Sequence, residues 1–95
     1  MSSYRICFEM LQKHPGTGSQ MALAKAFLSM DGRYFSLQEI FGSLDSRHAE
    51  AVTAMIIDYG KRNNISDYWT FKTAVENQFP ELVDIAESRR ISERS

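Results

Sequence analysis

The sequence predicts an all-α fold, a compact bundle of four main helices and one short helix. Apolar residues recur three and four positions apart, as in Tyr4, Cys7, Phe8 and Leu11, which places them on one face of a helix. No segment shows the alternation of apolar and polar residues that indicates a confident strand. Potential helix caps, such as Ser36 and Asp45, also precede several of the apolar segments. These observations define the elements in chain order.

The first two helices are predicted over residues 3–13 and 19–30. His14-Pro15-Gly16 ends the first, because the residue before a proline is disfavoured in a helix and glycine permits a turn. Thr17 or Ser19 can cap the second, and Thr17 with Gln20 three positions later fits a capping box. Its alanines favour both the helix and close packing against a neighbour.

A short helix is predicted at residues 37–41, with Ser36 as its N-cap and Glu39 completing a capping box. Phe35 and Ile40 have the spacing of a hydrophobic staple across the same helix start. Gly42-Ser43 ends it. In this segment the local sequence signals for a helix start are the strongest in the chain.

The longest helix is predicted at residues 46–62, capped by Asp45, whose negative charge also suits the helix dipole. Its apolar residues occupy more than one side. A helix that is apolar nearly all round is typically buried. We therefore expect this helix to lie at the centre of the bundle.

The last main helix is predicted over residues 66–88, starting at a cap formed by Ser66 or Asp67. Pro80 leaves two alternatives, a kink in this helix or the first position of a new one. Residues 1–88 are expected to form one helical domain, and residues 89–95 a polar, frayed tail.

Charge and composition narrow the function classes. Residues 34–88 carry nine acidic against four basic side chains, whereas a duplex-binding domain usually has a concentrated basic surface. Nucleic acid is therefore not the expected partner. The single cysteine, Cys7, allows no internal disulfide and no zinc set, which indicates a reducing compartment. No signal peptide or membrane span is recognisable, so we expect a cytoplasmic protein.

Catalytic and cofactor signatures are weak. His48 lies near Asp45 and Glu50, but a polar residue on an exposed helical turn explains it better than a catalytic base does. The glycines at 16 and 18 precede a helix, which could bind an anion, yet the lysine of a P-loop and a preceding strand are missing. We expect no enzyme activity, no cofactor and no metal site.

Surface recognition is the remaining class. The chain has more aromatic residues than so small a core readily absorbs, and Tyr68 and Trp69 are adjacent, so one narrow helical stripe cannot bury both. A neighbouring helix covering Trp69 is the alternative. Aromatic residues beside cations are common in interaction hot spots. The predicted partner-binding residues are Arg33, Tyr34, Tyr68, Trp69 and Lys72.

Residues 17–60 resemble a family of small bacterial proteins of unassigned activity that occur on plasmids, integrative elements and phages. The resemblance lies in residues 18–28, in Tyr34-Phe35-Ser36-Leu37-Gln38-Glu39-Ile40, in Leu44-Asp45 and in the helix that follows. It implies that the chain is the product of an accessory gene of a mobile element. The Met30-Asp31-Gly32-Arg33 connection departs from the family, whose members have a longer, Trp-bearing segment there.

The leading expectation is a non-enzymatic protein-interaction module that binds a host or element-encoded complex, for example as an inhibitor of the anti-CRISPR type. The alternative is a dimeric DNA-binding transcriptional regulator. A homodimer is compatible with either, because small helical domains with spare apolar surface often dimerise.

Overall fold

The structure is a computed structural model that describes residues 2–30, 32 and 34–94, with the backbone alone for residues 93 and 94. Within these residues all regular structure is helical, which confirms the predicted class. The helices, in chain order, are α1 (Ser3–Lys13), α2 (Gly18–Ser29), α3 (Leu37–Phe41), α4 (Ser46–Gly60), α5 (Ile65–Gln78) and α6 (Pro80–Arg94).

The expected count of four main helices and one short one differs from the observed five and one. The segment predicted as one helix over residues 66–88 divides at Phe79, whose φ of −126° and ψ of 63° are not helical. Pro80 then takes the first position of α6, where its missing N–H removes no helical hydrogen bond. Of the two alternatives for Pro80, the structure has the new helix.

Helix α2, rather than α4, is the central helix. Seven of its twelve residues are buried, and it contacts each of the other five helices. Its alanines Ala22, Ala24 and Ala26 are buried and leave the backbone room to approach its neighbours. The sequence predicted α4 as the central helix because the apolar residues of α4 occupy more than one side. The central position belongs to α2 because α2 is the helix that contacts all the others.

Helix α4 lies at the side of the bundle, so the prediction of a central helix at residues 46–62 is wrong. It packs mainly on α1 through His48, Val52 and Met55, whereas Ile56 and Ile57 are exposed. Helix α1 covers one stripe, α2 and α5 contact α4 less extensively, and Ile56 and Ile57 are left exposed. The apolarity that suggested burial therefore remains partly on the surface.

The predicted caps are confirmed at three helices and wrong at one. Thr17, Ser36 and Asp45 accept hydrogen bonds from backbone N–H groups of α2, α3 and α4, and Ser36 with Glu39 forms the reciprocal capping box. Helix α5 instead starts after Asn64, which is left-handed and makes no side-chain cap. Because the chain reverses between α4 and α5 in a few residues, positive φ at Arg62 and Asn64 replaces a capped entry.

Residues 89–94 continue α6, where the sequence predicted a frayed polar tail. Arg89 anchors this end of the helix to α3 through hydrogen bonds to Glu39. The polar residues that indicated a tail therefore include Arg89, which contacts a helix distant in the sequence.

Candidate functional site

Tyr68, one of the predicted partner-binding residues, is fully buried. Its hydroxyl donates a hydrogen bond of 2.9 Å to the backbone carbonyl of Phe27, and its ring packs against the rings of Tyr4 and Tyr59. The prediction that Tyr68 lies on a binding surface is wrong, because the polar end of this side chain is satisfied inside the core.

Trp69 is 45% exposed, so a neighbouring helix does not cover it completely. The ammonium of Lys72 lies 5.2 Å from the centroid of the indole ring, a cation–π distance. The structure thus brings together two of the predicted residues, Trp69 and Lys72, on α5. Arg33 falls outside the described residues.

Tyr34 is half-buried beside two concave sites. One is a cleft of about 140 Å³ that Tyr34 shares with Lys72 and Arg90, so two predicted residues also meet there. The other is much larger. A Cβ atom on Gly32 would lie 2.6 Å from the Tyr34 ring, so glycine at this position allows the ring to occupy its place between the two sites.

The larger site is an apolar groove of about 840 Å³ between the end of α2, α3, the second half of α4 and the end of α6. This volume lies within the range of ligand-binding pockets. The apolar groove is lined mainly by hydrophobic side chains, among them Met30, Phe35, Leu37, Ile40, Ile56 and Tyr59.

Two hydrophobic side chains of the apolar groove face solvent. Leu37, on α3, is 71% exposed, and Ile56, on α4, is 38% exposed. Ile57, next to Ile56 in the chain, is 50% exposed. Isolated exposed hydrophobic residues are ordinary, but two of them on the walls of one concave site mark a candidate interaction surface.

Two charged side chains, Glu39 and Arg89, line the apolar groove and form one ion pair. Arg89 Nη1 and Nη2 donate to the two Glu39 carboxylate oxygens at 2.9 Å each, and Nη1 also donates to the Tyr34 carbonyl at 2.6 Å. The Arg89 guanidinium and the Ser36 N–H lower the pKa of the Glu39 carboxyl to about 2. The same pairing raises the pKa of Arg89.

The Phe35 ring lies close to Arg89 of this ion pair and to a second cation. The Arg89 guanidinium carbon lies 5.0 Å from the ring centroid, and the Lys25 ammonium lies 5.7 Å from it. Phe35 is itself buried. The ring and the hydrogen bonds to Glu39 and the Tyr34 carbonyl restrict the guanidinium, so this charge is preorganised.

His48 is buried, which corrects the prediction of an exposed helical turn. Its Nδ1 lies 3.0 Å from Asp45 Oδ1 without a hydrogen bond between them, and the same Asp45 oxygen accepts from the His48 backbone N–H at 2.9 Å. That bond lowers the pKa of Asp45. The ring contacts His14 edge-on at 5.1 Å. This cluster is not part of the apolar groove.

Cys7 is buried on α1, and burial raises the pKa of its thiol to about 12. A thiol in that state carries almost no thiolate at neutral pH and is a poor nucleophile. Among the described residues, no group of three or more histidine, cysteine, aspartate or glutamate side chains is arranged to hold a metal ion.

Comparison with protein-family models, with curated proteins and with solved structures finds no match. The resemblance to small proteins of mobile elements therefore stays a prediction. None of the described helices combines the length and apolarity needed to cross a bilayer. The support for the candidate site is therefore the geometry of the described residues.

Sequence reasoning missed the groove residues Leu37, Ile56 and Arg89. A usable signal was present for Ile56, because α4 has more apolar residues than one contact stripe requires. For Arg89 no local pattern was available, since its partner Glu39 lies fifty residues earlier in the chain. That pairing is a product of the tertiary fold.

Proposed function

We propose that this chain is a non-enzymatic protein-interaction module that binds a partner in the apolar groove. The observation that carries the proposal is the exposure of Leu37 and Ile56 on the walls of a concave apolar site of about 840 Å³. Covering these side chains removes apolar surface from water, which favours association. A groove between helices suits an apolar helix face of a partner.

The biological setting of the proposal comes from the resemblance. An accessory protein of a mobile element that binds a host or element-encoded complex, for example an inhibitor of the anti-CRISPR type, needs a recognition surface and no catalytic centre. The apolar groove provides such a surface. The exposed Trp69–Lys72 pair on α5 is a second surface that the same partner can contact.

A DNA-binding regulator is the weaker proposal. Two of the three arginines near the C-terminus are engaged by acidic side chains, Arg89 by Glu39 and Arg90 by Glu87. These ion pairs reduce the basic charge available for phosphates. A gel shift with duplex DNA at low salt tests this alternative, and strong, salt-dependent binding would favour it over the interaction module.

The decisive experiment compares glutamate substitutions at matched exposed isoleucines. Ile56→Glu places a charge in the groove, whereas Ile85→Glu places the same charge on α6 at a similar exposure, 43% against 38%, outside the groove lining. Full-length protein is used to capture partners from a bacterial lysate, followed by quantitative mass spectrometry.

We expect Ile56→Glu to abolish the capture of a specific partner and Ile85→Glu to preserve it, with both melting temperatures close to the parent value. Equal capture by both variants would mean that the groove is not the binding surface. Trp69→Ala in the same experiment separates the contribution of the α5 surface.

A further inference from the structure

The charged end of the apolar groove holds one ion pair, Glu39–Arg89, and the ammonium of Lys25 lies beside the lining residue Phe35 without lining the groove itself. Around the Phe35 ring lie two cations, Lys25 and Arg89, and one carboxylate, Glu39. Glu39 and Arg89 are the charged residues among those that line the groove in the described part of the chain. Beside this neutral pair, Lys25 adds one positive charge, which a partner that brings a carboxylate complements.

The Arg89 guanidinium is only partly used by its neighbours. Its end-on pair of N–H groups, one on each Nη atom, is taken by Glu39, and the second Nη1 hydrogen is taken by the Tyr34 carbonyl. No described residue accepts from Nε–H or from the second Nη2 hydrogen. These two donors lie on the same side of the guanidinium, and their spacing matches the two oxygens of a carboxylate.

Preorganisation makes this side of Arg89 selective. The guanidinium lies near the Phe35 ring and is held by three hydrogen bonds, so little side-chain freedom is lost when a further carboxylate binds. Its side chain is 44% exposed, which leaves it accessible from solvent. A bidentate contact of this kind requires a planar anion, which an aspartate or glutamate side chain supplies.

We infer that the apolar groove recognises a helical segment of a partner protein that presents apolar side chains and one acidic side chain, with Arg89 as the specificity-determining residue. This inference rests on the proposed function. The apolar residues of the segment cover Leu37 and Ile56, and its carboxylate takes the two open donors of Arg89. Lys25 adds longer-range attraction for the same charge.

The test is a selection of helical peptides from a randomised display library on the purified full-length chain. We expect the bound peptides to have apolar residues at helical spacing together with an aspartate or glutamate. Replacing that acid by its amide in a selected peptide should weaken binding about tenfold, as expected for a charge-assisted hydrogen bond. Ile56→Glu should abolish the binding of these peptides.

Two substitutions at the ion pair distinguish specificity from mere structural support. Arg89→Gln should remove the preference for the acidic peptide over its amide. Glu39→Gln keeps one amide oxygen that can accept from Arg89 and removes the competing negative charge, so it should strengthen the preference. A purely structural role of the pair predicts weaker binding in both variants. Arg90→Gln, on the same helix but outside the groove lining, is the control and should change nothing.

The outcomes separate the two proposals. The inference is overturned if the peptides depend on Ile56 but show no preference for an acid. It is also overturned if the Glu39→Gln variant prefers the acidic peptide less strongly than the parent does. In both cases the groove remains a binding site. The recovery of no Ile56-dependent peptide overturns both. Binding of a free fatty acid such as decanoate without any peptide binding also overturns the inference, because it identifies a small amphiphile as the occupant.

Discussion

The hydroxyl of Tyr68 on α5 donates a hydrogen bond of 2.9 Å to the backbone carbonyl of Phe27 on α2. Both side chains are fully buried. The bond joins the central helix to a helix that begins far later in the chain, and it satisfies the polar atom of a residue that would otherwise be costly to bury. Tyr68 is therefore a marker of correct packing between α2 and α5.

Removing this hydroxyl should measurably destabilise the fold. We expect Tyr68→Phe to lower the free energy of unfolding by about 1 kcal/mol, the usual net value of one hydrogen bond. Tyr59→Phe is the matched control, because no described residue hydrogen-bonds to the Tyr59 hydroxyl, and its effect should stay within about 0.5 kcal/mol. Urea denaturation followed by circular dichroism measures both. Equal losses would show that the Tyr68 bond contributes nothing specific.

Tyr68 and Trp69 should respond very differently to truncation. Tyr68→Ala creates a cavity among buried rings and should cost about 3–5 kcal/mol, a large share of the stability of a small domain. Trp69→Ala removes a half-exposed side chain and should cost about 1 kcal/mol. Thermal unfolding curves of the two variants provide the comparison. A Trp69 variant that unfolds like the Tyr68 variant contradicts the assignment of Trp69 to the surface.

The Glu39–Arg89 pair should make stability depend on acidity in a defined window. The folded pKa of Glu39 is lowered to about 2 from an ordinary 4.5, so its contribution is present above about 4.5 and is lost as the pH falls towards 2. Glu39→Gln should lower the melting temperature at neutral pH and flatten its decline over this acidic range. Glu50→Gln, an exposed carboxylate on α4, is the control. A parallel decline in the Glu39 variant would exclude the coupling.

The local signals in the sequence predicted the fold better than the global ones did. The caps at Ser36 and Asp45 and the turn after Lys13 depend on neighbouring residues, so their patterns identify the helix starts and ends. The position of α4 depends on which helix packs beside which, and apolarity alone does not contain that information. A surplus of apolar residues indicates burial or binding equally well.

Most of the candidate site could not be predicted from the sequence, because its residues meet only through the packing of helices that are distant in the chain. Trp69 and Lys72 share one helix, so their proximity could be anticipated from spacing. Arg89 and Glu39 meet only because α6 returns to α3. Tyr68 was misassigned because its buried hydrogen-bond acceptor lies on a different helix, which no pattern within α5 reveals.

The buried thiol of Cys7 should report on opening of the core. Because its pKa is raised to about 12 and its side chain is inaccessible, we expect very slow reaction with a thiol reagent at neutral pH in the native state, and rapid reaction in denaturant. Leu11→Ala loosens the same face of α1 and should accelerate native labelling, since the open state becomes more populated. The labelling rates are measured with Ellman's reagent and by mass spectrometry of quenched reaction samples. Fast labelling of the parent protein would contradict the burial of Cys7.

Gln20 joins α1 to α2 through a side chain that is 6% exposed. Its Nε2 donates to the Leu11 carbonyl at 3.1 Å, and its Oε1 accepts from the Gly16 N–H at 2.9 Å, so one residue closes the turn between the two helices. Gln20→Ala should lower the free energy of unfolding by about 1–3 kcal/mol, because the Leu11 carbonyl then remains buried with that donor lost. Gln38→Ala removes an exposed glutamine side chain on α3 and should stay within about 0.5 kcal/mol. Chemical denaturation measures the free energy of unfolding of both variants. A loss in Gln20→Ala alone assigns the effect to the buried amide, and equal losses assign it to the removal of a glutamine side chain in general.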